Sequence, residues 1–146
     1  MIELQILDGQ QGDWAGKIHD LLLDVYDVSP WTVEQIASDL ENPLTQYTIA
    51  LENARVVGFL AIQESDFEVE ILHIAVRKAY QGRGLARQLF SMLPQQKEIF
   101  LEVRASNSPA LRFYQKEEFT PIARRKNYYH APMEDAIIMK REPNER

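Results

Sequence analysis

Cysteine is absent from the chain. Disulfides, thiolate metal sites and a cysteine nucleophile are thereby excluded. Histidine is scarce, and His19, His73 and His130 lie far apart, so a histidine-rich metal centre is not expected, while carboxylate ligands stay open on composition alone; metal dependence is not expected. No apolar run approaches the ~20 residues that cross a bilayer, so no membrane span is expected. The opening Met1-Ile2-Glu3-Leu4 has no basic stretch leading into an apolar one. No secretory signal is therefore expected, and a cytoplasmic location is. Positive charge is in deficit too. The net charge of −6 argues against direct nucleic-acid binding over a broad surface. It suits a cationic partner such as an amine or a basic peptide tail.

What is present is ordinary for a globular protein: 45% hydrophobic and 26% charged residues. A length of 146 residues suits one domain spanning 1–146. Glu3 to Leu7 reads as a strand. Trp14, Ile18, Leu21, Leu22 and Val25 recur at helical spacing. Ser29-Pro30 breaks that pattern, and Val33, Ile36, Ala37 and Leu40 resume it, with Thr32 and Gln35 placed as a capping box. Tyr47 to Leu51 and Val56 to Gln63 read as strands joined at Glu52-Asn53-Ala54. Glu68 to Val76 is another, with Val69, Ile71, His73 and Ala75 on one face. A helix from Leu85 to Leu93 stops near Pro94. Ile99 to Val103 is a strand. Ser108 is placed as an N-cap with Pro109 at the first helical position, and that helix runs to Glu117. Thr120 to Arg124 and Ala136 to Met139 complete a mixed α/β order, β-α-α-β-β-β-α-β-α-β-β.

Gln81-Gly82-Arg83-Gly84-Leu85-Ala86 links a strand to a helix start. A helix start offers unpaired N–H groups and a positive dipole end. Two glycines let a polyanion approach the backbone, and Arg83 and Arg87 add charge. These parts suit a phosphate or pyrophosphate, although a lone Gly-x-Gly reads equally well as a surface turn. A Walker loop would need Gly-Lys-Ser/Thr where Leu85-Ala86-Arg87 follows, and a dinucleotide fingerprint would need a small residue where Arg87 stands. Leu101-Glu102-Val103-Arg104-Ala105-Ser106-Asn107 places a carboxylate near a strand end. Glu102 points away from the face that Leu101 and Val103 share, so it reads as a site group, a solvated edge residue or a partner of Arg104. Asn107 suits a turn. In the next helix Phe113 suits the core. Tyr114 suits it too, or serves as a proton donor to a leaving thiolate.

The Gln81–Ala86 loop is similar to the signature of the GNAT superfamily of N-acetyltransferases. Leu101–Asn107, the Phe113-Tyr114 helix, Arg124–Tyr129 and Glu134–Met139 resemble the RimI type, whose members acetylate the N-terminal alanine of ribosomal protein S18. The similarity covers most of the chain and is strongest from Ile74 onward. Ala86 replaces a glycine common in relatives. Glu118 also stands where relatives often carry glycine, which suggests a different helix end. The stretch around Pro94-Gln95-Gln96 is short.

The resemblance implies a GNAT fold: a mostly antiparallel sheet of about seven strands flanked by four helices, splayed between the fourth and fifth strands. It implies acetyl-CoA as co-substrate and direct attack by the amine. Its pantetheine arm would bond the backbone around Ile74, Ala75 and Val76, where an N–H near Val76 polarises the thioester carbonyl. Gly82, Arg83, Gly84, Leu85, Ala86 and Arg87 would hold the pyrophosphate, and Asn107 would bond the arm. Glu102 is implied as general base, directly or through water, and Tyr114 as general acid. Tyr26–Trp31 and Asn127–Asp135 are expected to shape the acceptor pocket. Asp27, Glu68, Glu70, Glu134 and Asp135 could attract a basic tail, or serve as ordinary surface charges. Trp31 and Tyr128 suit packing or peptide contact. Arg124, Arg125 and Lys126 read as a solvated strand end, with RNA or CoA phosphate as the alternative. A monomer is expected. Acetylation of a small amine or a lysine, and a non-catalytic acyl-CoA-binding module, stay open as alternatives.

Overall fold

The computed structural model describes residues 1–7, 13–26 and 29–143. The chain packs as two compact units, Met1–Glu64 with Leu72–Leu93 and Ser65–Ile71 with Pro94–Arg146.

The first unit carries strands β1 (Glu3–Ile6), β2 (Thr45–Glu52) and β3 (Arg55–Glu64), and the second half of β4 (Glu68–Val76). Its helices are α1 (Trp14–Val25), α2 (Val33–Glu41) and α3 (Leu85–Phe90). Asp13 caps α1 by accepting from the Gly16 N–H at 3.1 Å. The capping box of α2 is present: Thr32 Oγ1 accepts from the Gln35 N–H at 3.1 Å, and Gln35 Oε1 from the Thr32 N–H at 2.8 Å. Ile18, Leu21 and Leu22 of α1 and Ile36 of α2 bury their apolar stripes with Tyr47, Ile49, Phe59 and Ala61. The middle of β3 is buried residue after residue, as a strand covered on both faces should be. Gly58 lets α3 close on β3, because a Cβ there would meet Leu85 and Leu89 side-chain carbons at 3.3 Å and the Ala75 carbonyl oxygen at 3.4 Å. The helix expected to Leu93 ends at Phe90. Beyond it the Met92 and Leu93 N–H groups bond the Leu89 and Phe90 carbonyls in tighter i−3 turns, which keep Leu93 buried.

The second unit carries the first half of β4, then β5 (Glu98–Arg104), α4 (Ser108–Lys116), β6 (Thr120–Tyr129) and β7 (Glu134–Arg141). The sheet order is β1-β2-β3-β4-β5-β7-β6. β4 and β5 are parallel, whereas the pairs β1–β2, β2–β3, β5–β7 and β6–β7 are antiparallel. This is the mixed seven-stranded sheet with four helices that the resemblance implied. The parallel ladder runs from Glu68↔Glu98 to Glu70↔Phe100 and stops, while β5 stays paired with β7 as far as Arg104↔Ala136. The last two strands are longer than expected. The helix end at Glu118 also departs from expectation: its φ is +74°, the left-handed geometry a glycine would adopt. The Glu117 and Phe119 N–H groups close that end on the carbonyls of Phe113 and Tyr114.

Candidate active site

In the first unit the Ile74-Ala75-Val76 end of β4 runs into Arg77, a single turn at Lys78–Tyr80, and the glycine loop. Arg77 is buried. Its Nε donates to the Val56 carbonyl at 2.8 Å and its Nη2 to Asp20 at 2.6 Å, which anchors the strand end. Gln81 ties the loop back by donating from Nε2 to the Val76 carbonyl at 3.0 Å. Gly82 and Gly84 have φ of +80° and +78°, and nothing lies within 4 Å of where a Cβ would stand. Glycine is therefore required by backbone conformation, and the space beside the backbone is open. The first bond of α3 runs from the Gln88 N–H to the Gly84 carbonyl at 3.0 Å, so the helix start presents the N–H groups of Leu85, Ala86 and Arg87. The Leu85 side chain is core, so its contribution is its backbone. Arg83 lies over the Tyr80 ring at 5.0 Å, and Tyr80 donates to Glu52, a bond that holds the Glu52 carboxyl below its usual range. Open glycine backbone, a helix start and two arginines fit a pyrophosphate.

In the second unit Leu101 and Val103 of β5 are buried and Glu102 faces the other way, half-buried, as the alternation requires. Its partner is not Arg104. Glu102 Oε1 pairs with Arg125 Nη1 at 3.4 Å, and the Tyr128 hydroxyl donates to the same carboxylate, which raises the phenol's pKa. Arg125 lies over the Tyr128 ring at 4.7 Å. Glu70 on β4 faces Glu102; partial burial first, then the charges of Glu102 and Glu68, raise its carboxyl. Arg104 instead donates to the carbonyls of His130 and Pro132, pairs with Glu134 at 3.4 Å and lies over Tyr129 at 4.5 Å. Burial leads in pushing the Tyr129 phenol up to about 12.

Glu134 and Asp135 have internal partners. Glu134 accepts from the Ser106 N–H at 3.0 Å, and Asp135 from Arg124 at 2.9 Å and the Asn127 N–H at 2.9 Å. They brace the β6–β7 hairpin against the loop after β5. Arg124 and Arg125, read as a solvated strand end, are likewise ion-paired. Asn107, rather than Ser108, caps α4. Its Oδ1 accepts from the Ala110 N–H at 3.2 Å, and its amide nitrogen takes no part in the cap. Tyr114 is half-buried, with ring centroids 5.6 Å from Phe113 and 6.1 Å from Phe119. Trp31 packs on His73 and Phe59. Asp27 lies outside the described residues. Among the described residues no group of His, Asp and Glu is arranged to hold a metal ion, and no helix is long and apolar enough to cross a membrane.

A profile of the acetyltransferase (GNAT) family matches residues 14–119. The chain belongs to this family. It is similar to the N-alpha-acetyltransferase RimI of Mycobacterium tuberculosis, 32% identical over 120 residues that cover 77% of this chain and 76% of that protein. It is also similar to the ribosomal protein bS18-alanine N-acetyltransferase of Escherichia coli K12, 33% identical over 118 residues that cover 75% of this chain and 79% of that one. The crystal structure of the ribosomal-protein-S18-alanine N-acetyltransferase from Escherichia coli superposes with a TM-score of 0.84 at 27% identity, over 97% of this chain and 93% of that one. A GNAT family acetyltransferase from Elizabethkingia anophelis, crystallised with acetyl-CoA bound, shares the fold at a TM-score of 0.73 and 22% identity, over 97% of each chain. The GNAT chain described here is thus an acetyl-CoA-dependent N-acetyltransferase.

Sequence reasoning singled out Glu102 and the glycine loop as candidates, and did not name Arg125 and Tyr128 as neighbours of that carboxylate or Gln81 as the loop's tie. Alternation placed His73 on one face with Val69, Ile71 and Ala75, but no local pattern names the three aromatic rings that meet its imidazole.

Proposed function

We propose that this chain acetylates the N-terminal α-amine of a protein, and that the acceptor is the N-terminal alanine of ribosomal protein S18. The similarity to the Escherichia coli bS18-alanine enzyme carries this reading of the acceptor. A ribosomal acceptor places the reaction in the cytoplasm. Acetyl-CoA supplies the acetyl group as a thioester.

The chain's own groups are assigned as follows. Backbone N–H groups of Gly82 to Arg87, with the Arg83 and Arg87 side chains, hold the pyrophosphate. The backbone of Ile74, Ala75 and Val76 bonds the pantetheine arm, and an N–H near Val76 polarises the thioester carbonyl. The Asn107 side-chain amide donates to the arm. Glu102 accepts the proton of the attacking amine, directly or through water. Tyr114 donates a proton to the departing thiolate. The bond from nitrogen to the acetyl carbon forms and the carbon–sulfur bond breaks; the proton that Glu102 takes from the amine makes good the one that Tyr114 gives to the thiolate, so CoA leaves as the thiol, and the proton released to solvent is the one an ammonium acceptor sheds before it attacks.

The demand on Glu102 is modest for this acceptor. An α-amine titrating near 8 is roughly one-tenth neutral at pH 7, whereas a lysine is about 0.04% neutral. A half-buried carboxylate already paired with Arg125 suits the easier task. Replacing Tyr114 by Phe keeps the ring against Phe113 and Phe119 and removes the proton. Single-turnover transfer is expected to slow by about 100-fold with folding intact, as read by rapid quench and circular dichroism. An unchanged rate removes Tyr114 from the chemistry.

Intact-mass spectrometry of unacetylated S18 after incubation with the enzyme and acetyl-CoA tests the proposal. One added acetyl on the free N-terminus, absent with an N-terminally blocked S18, is the expected result. Acetylation only of lysines or small amines would overturn it.

A further inference from the structure

Tyr26 ends α1 and Trp31 stands just before the Thr32 cap of α2. Both side chains converge on one residue of β4. The Tyr26 hydroxyl and His73 Nε2 are hydrogen-bonded at 3.0 Å. The His73 ring meets Trp31 edge-on at 4.9 Å and Tyr26 at 5.8 Å, and lies tilted against Phe59 of β3 at 5.5 Å. Phe59 in turn stacks on Tyr47 of β2 at 5.9 Å. Tyr26 and Trp31 thus both rest on an imidazole backed by the core. None of the catalytic roles assigned above uses this imidazole.

Its chemistry suits a fixed support. Burial holds the His73 conjugate acid down to about 4, and burial raises the Tyr26 phenol. Around neutral pH both partners are therefore uncharged, one ring nitrogen accepting and the other donating. The bond does not change with physiological pH, so the arrangement is a brace and not a pH switch. His73 also directly precedes Ile74-Ala75-Val76, the strand end assigned to the acetyl-CoA arm. The brace ties Tyr26 and Trp31 to that strand.

We propose that His73 is the positioning residue that sets selectivity for the acceptor's first side chain. By pinning Tyr26 and Trp31 it holds a rigid aromatic wall that admits a small N-terminal residue and turns away a large one. Selectivity of this kind comes from refusing the larger group, which requires that the wall not yield. The inference rests on the acceptor reading above, together with the expectation from the sequence that Tyr26 and Trp31 help to shape the acceptor pocket.

The test uses the full chain, acetyl-CoA and peptides identical except for a first residue of Ala, Ser or Leu. The Ala-to-Leu ratio of kcat/KM is expected to fall about tenfold in His73→Ala. Tyr26→Phe and His73→Phe, which keep the rings and lose only the hydrogen bond, are expected to lower the ratio in the same direction. Their double variant should do no more than either alone, since both remove one bond. Acetyl-CoA affinity, measured by titration, should stay unchanged throughout. A merely structural role would slow all the peptides alike and leave the ratio where it was. An unchanged ratio in His73→Phe and Tyr26→Phe, with an active wild type, overturns the inference alone. A wild type that acetylates no peptide N-terminus overturns the acceptor reading and this inference with it.

Discussion

Glu102→Gln is expected to lower turnover by about 100-fold or more at pH 7 and to leave acetyl-CoA affinity unchanged. Glutamine has nearly the same shape and keeps a side-chain oxygen to accept from Tyr128 and Arg125, the two groups now on the carboxylate. It cannot take up a proton. The loss should therefore fall on the chemical step and not on folding or on the cofactor. It should also shrink as pH rises towards 9, because more of an α-amine acceptor is then neutral without help. Stopped-time assays of acetyl transfer across that range, beside an acetyl-CoA titration, check both statements. Equal losses of turnover and affinity at every pH would make Glu102 a structural residue. The Arg125 pair belongs to the same experiment. Its guanidinium is 54% exposed and 3.4 Å away, so salt should weaken that contact and leave the Glu102→Gln deficit in place.

Phe59→Ala is expected to destabilise the protein by about 3–5 kcal/mol. Phe59 has no solvent exposure. It lies parallel to Tyr47 with an interplanar angle of 13° and meets Trp31 at 6.3 Å and His73 at 5.5 Å. Its removal leaves a cavity that β3, buried along its middle, cannot close without breaking register with β2. Guanidinium unfolding measures the loss. Phe59→Leu should cost about 1.5 kcal/mol or less, because most of the volume is kept. A loss that small for the alanine variant would mean that the surrounding rings collapse into the space. The two variants should also separate stability from selectivity. A folded Phe59→Leu protein keeps the Tyr26–His73 hydrogen bond and should keep its preference for a small first residue.

Local chemistry wrote much of this protein into its sequence. The order of strands and helices, the capping box at Thr32 and Gln35, and the glycines at 82 and 84 all follow from periods of 2.0 and 3.6 residues or from backbone demands within a few residues. So does the turn of Glu102 away from Leu101 and Val103. The limits of this legibility are physical. β6 was read only to Arg124 because nearly all of it is exposed, so no apolar alternation marks its extent, and Asn127 at φ +53° lies within its second register shift. The third helix was read too long because Leu93 stays buried after the helix has ended. Glutamate in place of glycine at 118 suggests a different helix end, yet Glu118 adopts the glycine geometry, because closing α4 onto Phe119 outweighs the strain of one left-handed residue. What the tertiary structure alone decided are the partners. Antiparallel pairing of β5 with β7, and of β7 with β6, brings Arg125 and Tyr128 to Glu102. The packing of α1 and α2 on β3 brings Tyr26 and Trp31 to His73. Contacts between residues far apart in the chain leave no periodic trace, since each arises from the register of whole elements and not from the residues beside it.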